Sequence, residues 1–276
     1  MREATILTRP CSRRQALQLA GAGALTGAAF FWSPRAFSRS GPWGRHSAIM
    51  DLLAGAEPME GGITLELPSV SEDGSNVPLT VSVDSPMEDD DYVESIYLFA
   101  PGNPNEEVAA FHLTPLAGDA WISTRIRLNE SQRVFALARL SNGDFRVAHQ
   151  EARVTVSGCL ADDATYDTDN IMQTRVRIPS SLGAGEAGEV LTLINHPMET
   201  GFRERGDGEI IPRHIIDSFL VEFDGEPALR ADIHPSLAAN PYLRFRVKPR
   251  RSTTMRLTWT DDQGATAEEE AEITVG

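Results

Sequence analysis

From Gly62 onward the chain alternates apolar and polar residues in short runs, and turn residues break the runs apart. Ile63-Thr-Leu-Glu-Leu67 and Leu79-Thr-Val-Ser-Val83 follow the period of two that puts one face of a strand in a core. The same pattern predicts strands over 93–100, 108–113, 121–128, 133–140, 145–149 and 153–156. Pro-Gly-Asn-Pro (101–104), Ala-Gly-Asp (117–119) and Ser-Asn-Gly-Asp (141–144) separate them. Asn142-Gly143 is a tight hairpin signal, because both residues tolerate positive φ. A short helix is expected near Ser47–Ala56. Strands of this length at roughly ten-residue spacing predict an antiparallel sandwich of immunoglobulin type.

Between Leu160 and Gln173 the alternation stops, and four aspartates dominate. A second strand series follows over 174–178, 189–195, 215–223, 228–233, 242–247, 255–260 and 267–275. The fold class is therefore all-β, with two immunoglobulin-like sandwiches joined by an acidic linker. The expected organisation is a signal region (1–45), a first sandwich (46–159), a linker (160–173) and a second sandwich (174–276). Thr124-Arg-Ile-Arg-Leu128 and Thr174-Arg-Val-Arg-Ile178 look alike, a five-residue hint of duplication.

The first 45 residues differ from the rest. Arg13-Arg14 precede an uncharged stretch from Leu17 to Phe31, the pattern of a twin-arginine export leader. That stretch is short and rich in Gly and Ala for a membrane span. A periplasmic protein with no membrane span in its mature form is the expectation. The full chain of 276 residues carries a formal charge of −15. Residues 46–276 hold 18 basic and 39 acidic residues, so their formal charge is −21, and Lys248 is the one lysine. Such a surface repels nucleic acid and anionic lipid, and leaves cationic protein partners open.

Cys11 lies in the leader, which leaves Cys159 as the one thiol of the exported protein. A lone exported cysteine has no intramolecular disulfide partner, and its reactivity becomes the question. Gly158 precedes it and Asp162 and Asp163 follow. That polar, turn-rich setting favours an exposed functional thiol over a buried one acting as a small hydrophobe. The neighbouring acids raise the thiol pKa, so Cys159 is a better attachment point than an independent nucleophile. Catalytic constellations are missing: no phosphate loop, zinc spacing or nucleophile elbow is present. Histidines 149, 196, 214 and 234 read as structural. His196-Pro197-Met198 offers copper a nitrogen and a thioether, but a turn with Met198 packed as a core filler is the favoured reading. Glu88-Asp89-Asp90-Asp91 lacks calcium-loop spacing and reads as a solvated turn. Arg203, Arg205, Arg213, Arg250 and Arg251 either bind the first domain's acidic surface or a partner, or are ordinary solubilising rim charges. No enzyme activity, cofactor or metal is expected.

Several motifs in order resemble the bacterial sulfur-oxidising (Sox) carrier. Ile63-Thr-Leu-Glu-Leu-Pro68, Asn103-Pro104, Thr124–Leu128 and Val154-Thr-Val-Ser-Gly-Cys159 resemble its Y subunit. Asn195-His-Pro-Met-Glu-Thr-Gly201, Ile211-Pro-Arg213, Ala239-Asn-Pro-Tyr-Leu243 and Trp259-Thr-Asp-Asp262 resemble its Z subunit. The resemblance implies a periplasmic carrier that holds sulfur intermediates covalently on Cys159, with Gly158 lending the arm flexibility. It implies thiosulfate-type oxidation served by a haem protein, a hydrolase and a sulfur dehydrogenase, with the two domains binding each other. Two features depart from the family. Gly158 is the one glycine beside the cysteine, and the arm is tethered at both ends. Fused carriers of this kind also resemble proteins associated with quinoprotein dehydrogenases. The alternative is thus a non-covalent accessory module for such an enzyme, with Cys159 unused.

Overall fold

A computed structural model describes residues 41–156 and 170–276. Gly158, Cys159 and positions 160–169 of the expected linker lie outside the described residues. The first half contains a short helix α1 (Ser47–Leu53). Its strands are β1 (Met59–Glu60), β2 (Ile63–Glu66), β3 (Val70–Asp73), β4 (Val77–Val83), β5 (Val93–Phe99), β6 (Glu107–Leu113), β7 (Trp121–Ile126), β8 (Gln132–Leu140) and β9 (Phe145–Val156). The second half adds β10 (Thr174–Arg177), β11 (Ser181–Leu182), β12 (Gly188–Ile194), β13 (Ile216–Phe223), β14 (Glu226–Ile233), β15 (Tyr242–Val247), β16 (Thr253–Asp261) and β17 (Thr266–Val275).

The fold is all-β, as the alternation predicts. Strand β4 shows why: Val77, Leu79, Val81 and Val83 are buried while Pro78 faces outward. The expected 145–149 and 153–156 runs form one continuous strand, β9. Strand β3 is an addition that the pattern misses. In β8, residues Val134 to Ala138 are buried without alternation. The reason is α1, whose Ile49 and Leu53 pack with Trp43 on Phe99, Phe135, Leu137, Phe145 and Val147. That packing buries the second face of the sheet, so the strand carries apolar residues on both sides.

Two sheets face each other, and both run through both halves. The larger has the order β1-β9-β8-β5-β6-β14-β13-β16-β17-β11, with β3 also on β9; the smaller has the order β10-β12-β15-β7-β4-β2. The halves therefore join edge to edge, β6 to β14 from Leu113↔Leu229 to Ala109↔Ile233, and β7 to β15 from Thr124↔Leu243 to Ile122↔Phe245. Pairing the two inner edges removes unsatisfied strand edges from the middle of the molecule. One continuous core lies between the sheets, with Phe111 and Ile122 of the first half and Phe219, Phe245 and Trp259 of the second all buried.

Both strand orders read the same from either end once the halves are exchanged. The run β9-β8-β5-β6 corresponds to β17-β16-β13-β14, and β2-β4-β7 to β10-β12-β15. Register agrees residue by residue. Ile96 pairs with Phe111 as Phe219 pairs with Ala231. Val81 pairs with Ile122 as Thr192 pairs with Leu243. Ala138 pairs with Arg146 as Trp259 pairs with Ala267. The molecule has an internal pseudo-two-fold through the seam. The look-alike runs at 124–128 and 174–178 are not its equivalents, because β7 corresponds to β15 and β10 to β2.

Candidate functional site

The two halves share one short motif at equivalent places: Ser85-Pro86-Met87-Glu88 after β4 and His196-Pro197-Met198-Glu199 after β12. Both methionines have φ of 50°, in the left-handed region, and both are fully buried. In each turn the methionine N–H bonds a side chain two residues earlier, Ser85 Oγ at 3.2 Å or His196 Nδ1 at 3.1 Å. Each sulfur then accepts the first amide of the next strand, Val93 N at 3.4 Å or Ile216 N at 3.2 Å. Met198 is thus a core filler that plugs the sandwich, as the packed-turn reading expects.

The chain that leads to Cys159 is fixed as far as Val156. Beyond Ala152, β9 leaves β8 and pairs in parallel with β3, through Val70↔Arg153, Ser71↔Val154 and Asp73↔Val156. Val154 N donates to Ser131 Oγ at 2.9 Å, and Gly74 N to Val156 O at 2.9 Å. Only glycine fits at 74: a Cβ there would lie 2.3 Å from Leu128 O and 2.7 Å from Val156 O. Gly74 O in turn accepts Leu128 N at 2.7 Å. Val156 itself is 56% exposed, so the last described residue of this strand lies at the surface.

Arg127, beside Leu128, ties this root to the second half. Its guanidinium is buried and donates to Met198 O (2.5 Å), Pro197 O (3.2 Å) and Pro235 O (3.2 Å). Asn103 Nδ2 holds Arg127 O at 2.8 Å and Ser236 Oγ at 3.0 Å. The second half's His-Pro-Met turn is therefore wired to the strand end from which Cys159 follows. After that turn the chain makes a hairpin, bridged at Glu199↔His214 and Glu204↔Ile210, whose Phe202 and Ile210 are exposed.

Among the described residues, one group of three potential metal ligands comes together: His196, His214 and Asp261. His214 Nε2 donates to Asp261 Oδ2 at 2.9 Å, and the two rings sit 4.5 Å apart. Burial, then the neighbouring His214, pushes the His196 pKa down to about 4. For Asp261, burial pushes the pKa up, but the bonds from His214, Ala265 and Gln263 outweigh it and hold it low. The donor set does not suit a metal. His196 Nδ1 accepts the Met198 N–H, which puts the ring proton on Nε2, the nitrogen that would have to bind. His196 Nε2 has no partner within bonding distance and lies 4.0 Å from Asp261 Oδ2. The cluster holds protons and pins the turn to the β16–β17 hairpin.

Of the arginines singled out by sequence, Arg203 pairs with Glu199, Arg205 with Glu209 and Arg213 with Asp262, all within the second half. Arg250 and Lys248 do cross the halves, to Asp89 and Glu88 of the acidic run. His149 and His234 do not join the cluster: His149 packs on Phe135, and His234 lies 3.8 Å from Glu107. Arg127 was invisible to the sequence as a site residue. In Ile126-Arg127-Leu128 the charge falls on the polar phase of the alternation, where a solvent-facing residue is expected, so nothing in the pattern marks it as buried. No helix among the described residues is long and apolar enough to cross a membrane.

Comparison with known proteins gives two family matches in series. The family described as sulfur oxidation protein SoxY matches residues 49–159, and that described as sulphur oxidation protein SoxZ matches residues 176–272. No curated protein matches the chain. Among solved structures, the sulfur carrier protein SoxY from Chlorobium limicola f thiosulfatophilum is 27% identical over 40% of this chain and 94% of that one, with a TM-score of 0.34. A superoxide reductase (neelaredoxin) from Ignicoccus hospitalis is 18% identical over 34% of this chain and 80% of its own, with a TM-score of 0.31.

Proposed function

We propose, for a chain that belongs to the sulfur-oxidation families SoxY and SoxZ joined in that order, that its carrier role is covalent and is performed by Cys159. The observation that carries this reading is where the SoxY match ends: on Cys159 itself, three residues beyond the last braced position, Val156. An attachment point needs a firm root and a short free reach, and three residues of chain reach about 10 Å. The second half serves as the buttress of that root through Arg127.

The chemistry asks little of the carrier. Joining a thiolate to the outer sulfur of a thiosulfate-type donor forms one S–S bond and releases two electrons, which a haem partner accepts. Adding water across the terminal sulfur–sulfonate bond releases sulfate, and a hydrolase supplies that step. A sulfur dehydrogenase then oxidises the outer sulfur of the remaining persulfide to a sulfonate, with water as the oxygen source and the electrons passed to a haem acceptor, and a second hydrolysis releases sulfate and frees the thiol. Acidic neighbours keep the free thiol largely protonated, so each partner brings the activating charge. Fusion keeps both halves at high effective concentration in the periplasm, which the twin-arginine leader supplies as destination.

One observation favours a second reading. Leu160 and Ala161 stand where the family keeps glycines, and the arm is tethered on both sides, which suits a non-covalent module for a periplasmic quinoprotein dehydrogenase. Intact mass of the natively purified protein, with and without reductant, separates the two. Reducible sulfur-containing additions on Cys159 support the carrier, and a permanently unmodified thiol supports the module.

A further inference from the structure

The pseudo-two-fold gives the Arg127 site a counterpart at the other end of the seam. Arg127 follows β7 and Lys248 follows β15, and they occupy equivalent places: Arg127 N donates to Ser236 O at 2.8 Å, Lys248 N to Leu116 O at 2.7 Å. Ser236 and Leu116 are themselves equivalent, each three residues past β14 or β6. By the same correspondence, Met198, Pro197 and Pro235, whose carbonyls receive the Arg127 guanidinium, match Met87, Pro86 and Pro115.

The two ends are filled differently. At the first, the guanidinium is buried and bonded to three carbonyl oxygens. At the second, the Lys248 ammonium turns to Glu88 Oε1 at 3.6 Å. A cavity of about 310 Å3 remains there, lined by Met87, Glu88, Asp89, Pro115, Lys248 and Arg250 among others. Two of the three counterpart carbonyl residues, Met87 and Pro115, are on its wall.

We propose that this cavity receives the guanidinium of an arginine side chain from a partner protein, in the manner that Arg127 fills the equivalent volume within the chain. A planar five-donor cation can use backbone carbonyls and carboxylates together, whereas an ammonium is a single point; of the carbonyls here, that of Pro115 also accepts Gly118 N at 3.1 Å. Charge agrees with this occupant. Glu88 and Asp89 line the mouth together with Lys248 and Arg250, and Asp90 and Asp91 follow them in sequence, on a chain of formal charge −15. Glu88 and Asp89 are 72% and 70% exposed, so their present ion pairs are weak and exchangeable. The assignment stands apart from Cys159, since it uses the opposite end of the seam and requires no thiol.

The test is a titration of isotopically labelled protein with N-acetyl-L-arginine amide, whose one charge is the guanidinium, followed by amide resonances. Saturable shifts around Met87, Pro115 neighbours and Lys248, with a dissociation constant of about a millimolar, are expected for a fragment of this size. In Lys248→Arg the chain fills its own cavity, and binding weakens at least about tenfold. Glu88→Gln, a surface change that leaves the core intact, weakens it as well. Absence of saturable shifts, equal binding of N-acetyl-L-lysine amide, or an unchanged affinity in Lys248→Arg overturns the proposal. A response to calcium chloride at Glu88–Asp91 in place of the arginine response overturns it in favour of a cation loop.

Discussion

Arg127 Nη1 lies 2.5 Å from the carbonyl oxygen of Met198, so a first-half side chain closes a second-half turn. A buried guanidinium is tolerated only where its donors are taken up, and three carbonyl oxygens do that here. Arg127→Ala strands those carbonyls and empties the volume; a loss of about 3 kcal/mol is expected in chemical denaturation. Arg127→Lys, with one donor tip in place of a fork, recovers less than half of it. Wild-type stability in either variant contradicts the assigned role.

Acid sensitivity follows from His196. The ordinary imidazole value is 6.5 and the folded value is about 4, so the folded protein resists the proton that the unfolded chain accepts. The contribution is complete above about pH 6.5 and is lost as pH falls toward 4. It amounts to on the order of 3 kcal/mol, at roughly 1.4 kcal/mol per pH unit. Denaturation midpoints between pH 7 and pH 4.5 should fall more steeply for the wild type than for His196→Gln. Parallel curves would remove His196 as the cause.

The root of the arm depends on Gly74. Gly74→Ala places a methyl against Leu128 O and Val156 O, and the 74–156 bond must open. A cost of about 2 kcal/mol is expected, with faster hydrogen exchange at Val154, while the amides of β13 and β16 keep their protection. Uniform loss of protection across both halves would contradict a local role.

Because both sheets and the core cross the seam, the covalent link is dispensable for association. A protease site engineered at 165, cut after purification, should leave two fragments that co-elute and melt together. Separate elution at micromolar concentration would show that the seam does not hold by itself.

Much of this architecture was legible in the alternation, because strands that face one core must alternate. Val77 to Val83 and Tyr242 to Val247 are clear cases. Strand β3 was not, since Val70-Ser71-Glu72-Asp73 has one apolar residue and is held by backbone bonds to β9. The internal two-fold was hidden for a different reason. Equivalent core positions carry different side chains: Ile96 against Phe219 and Ala138 against Trp259, with the opposite change at Phe111 against Ala231. The Pro-Met-Glu turns keep their sequence, because a buried methionine at positive φ leaves little freedom. The candidate site was half legible. Cys159 stands out by number and context, whereas Arg127, Gly74 and the His196 cluster act through partners far away in sequence.

The central claim is that Cys159 carries sulfur covalently. Its most direct test is intact mass spectrometry of the protein taken from its native compartment, before and after reduction, with the additions mapped by peptide. Reducible additions of sulfur, sulfonate or thiosulfonate on Cys159, absent from Cys159→Ser, are the predicted result. A homogeneous, unmodified Cys159 together with full activity of Cys159→Ser in sulfur-compound oxidation would contradict it.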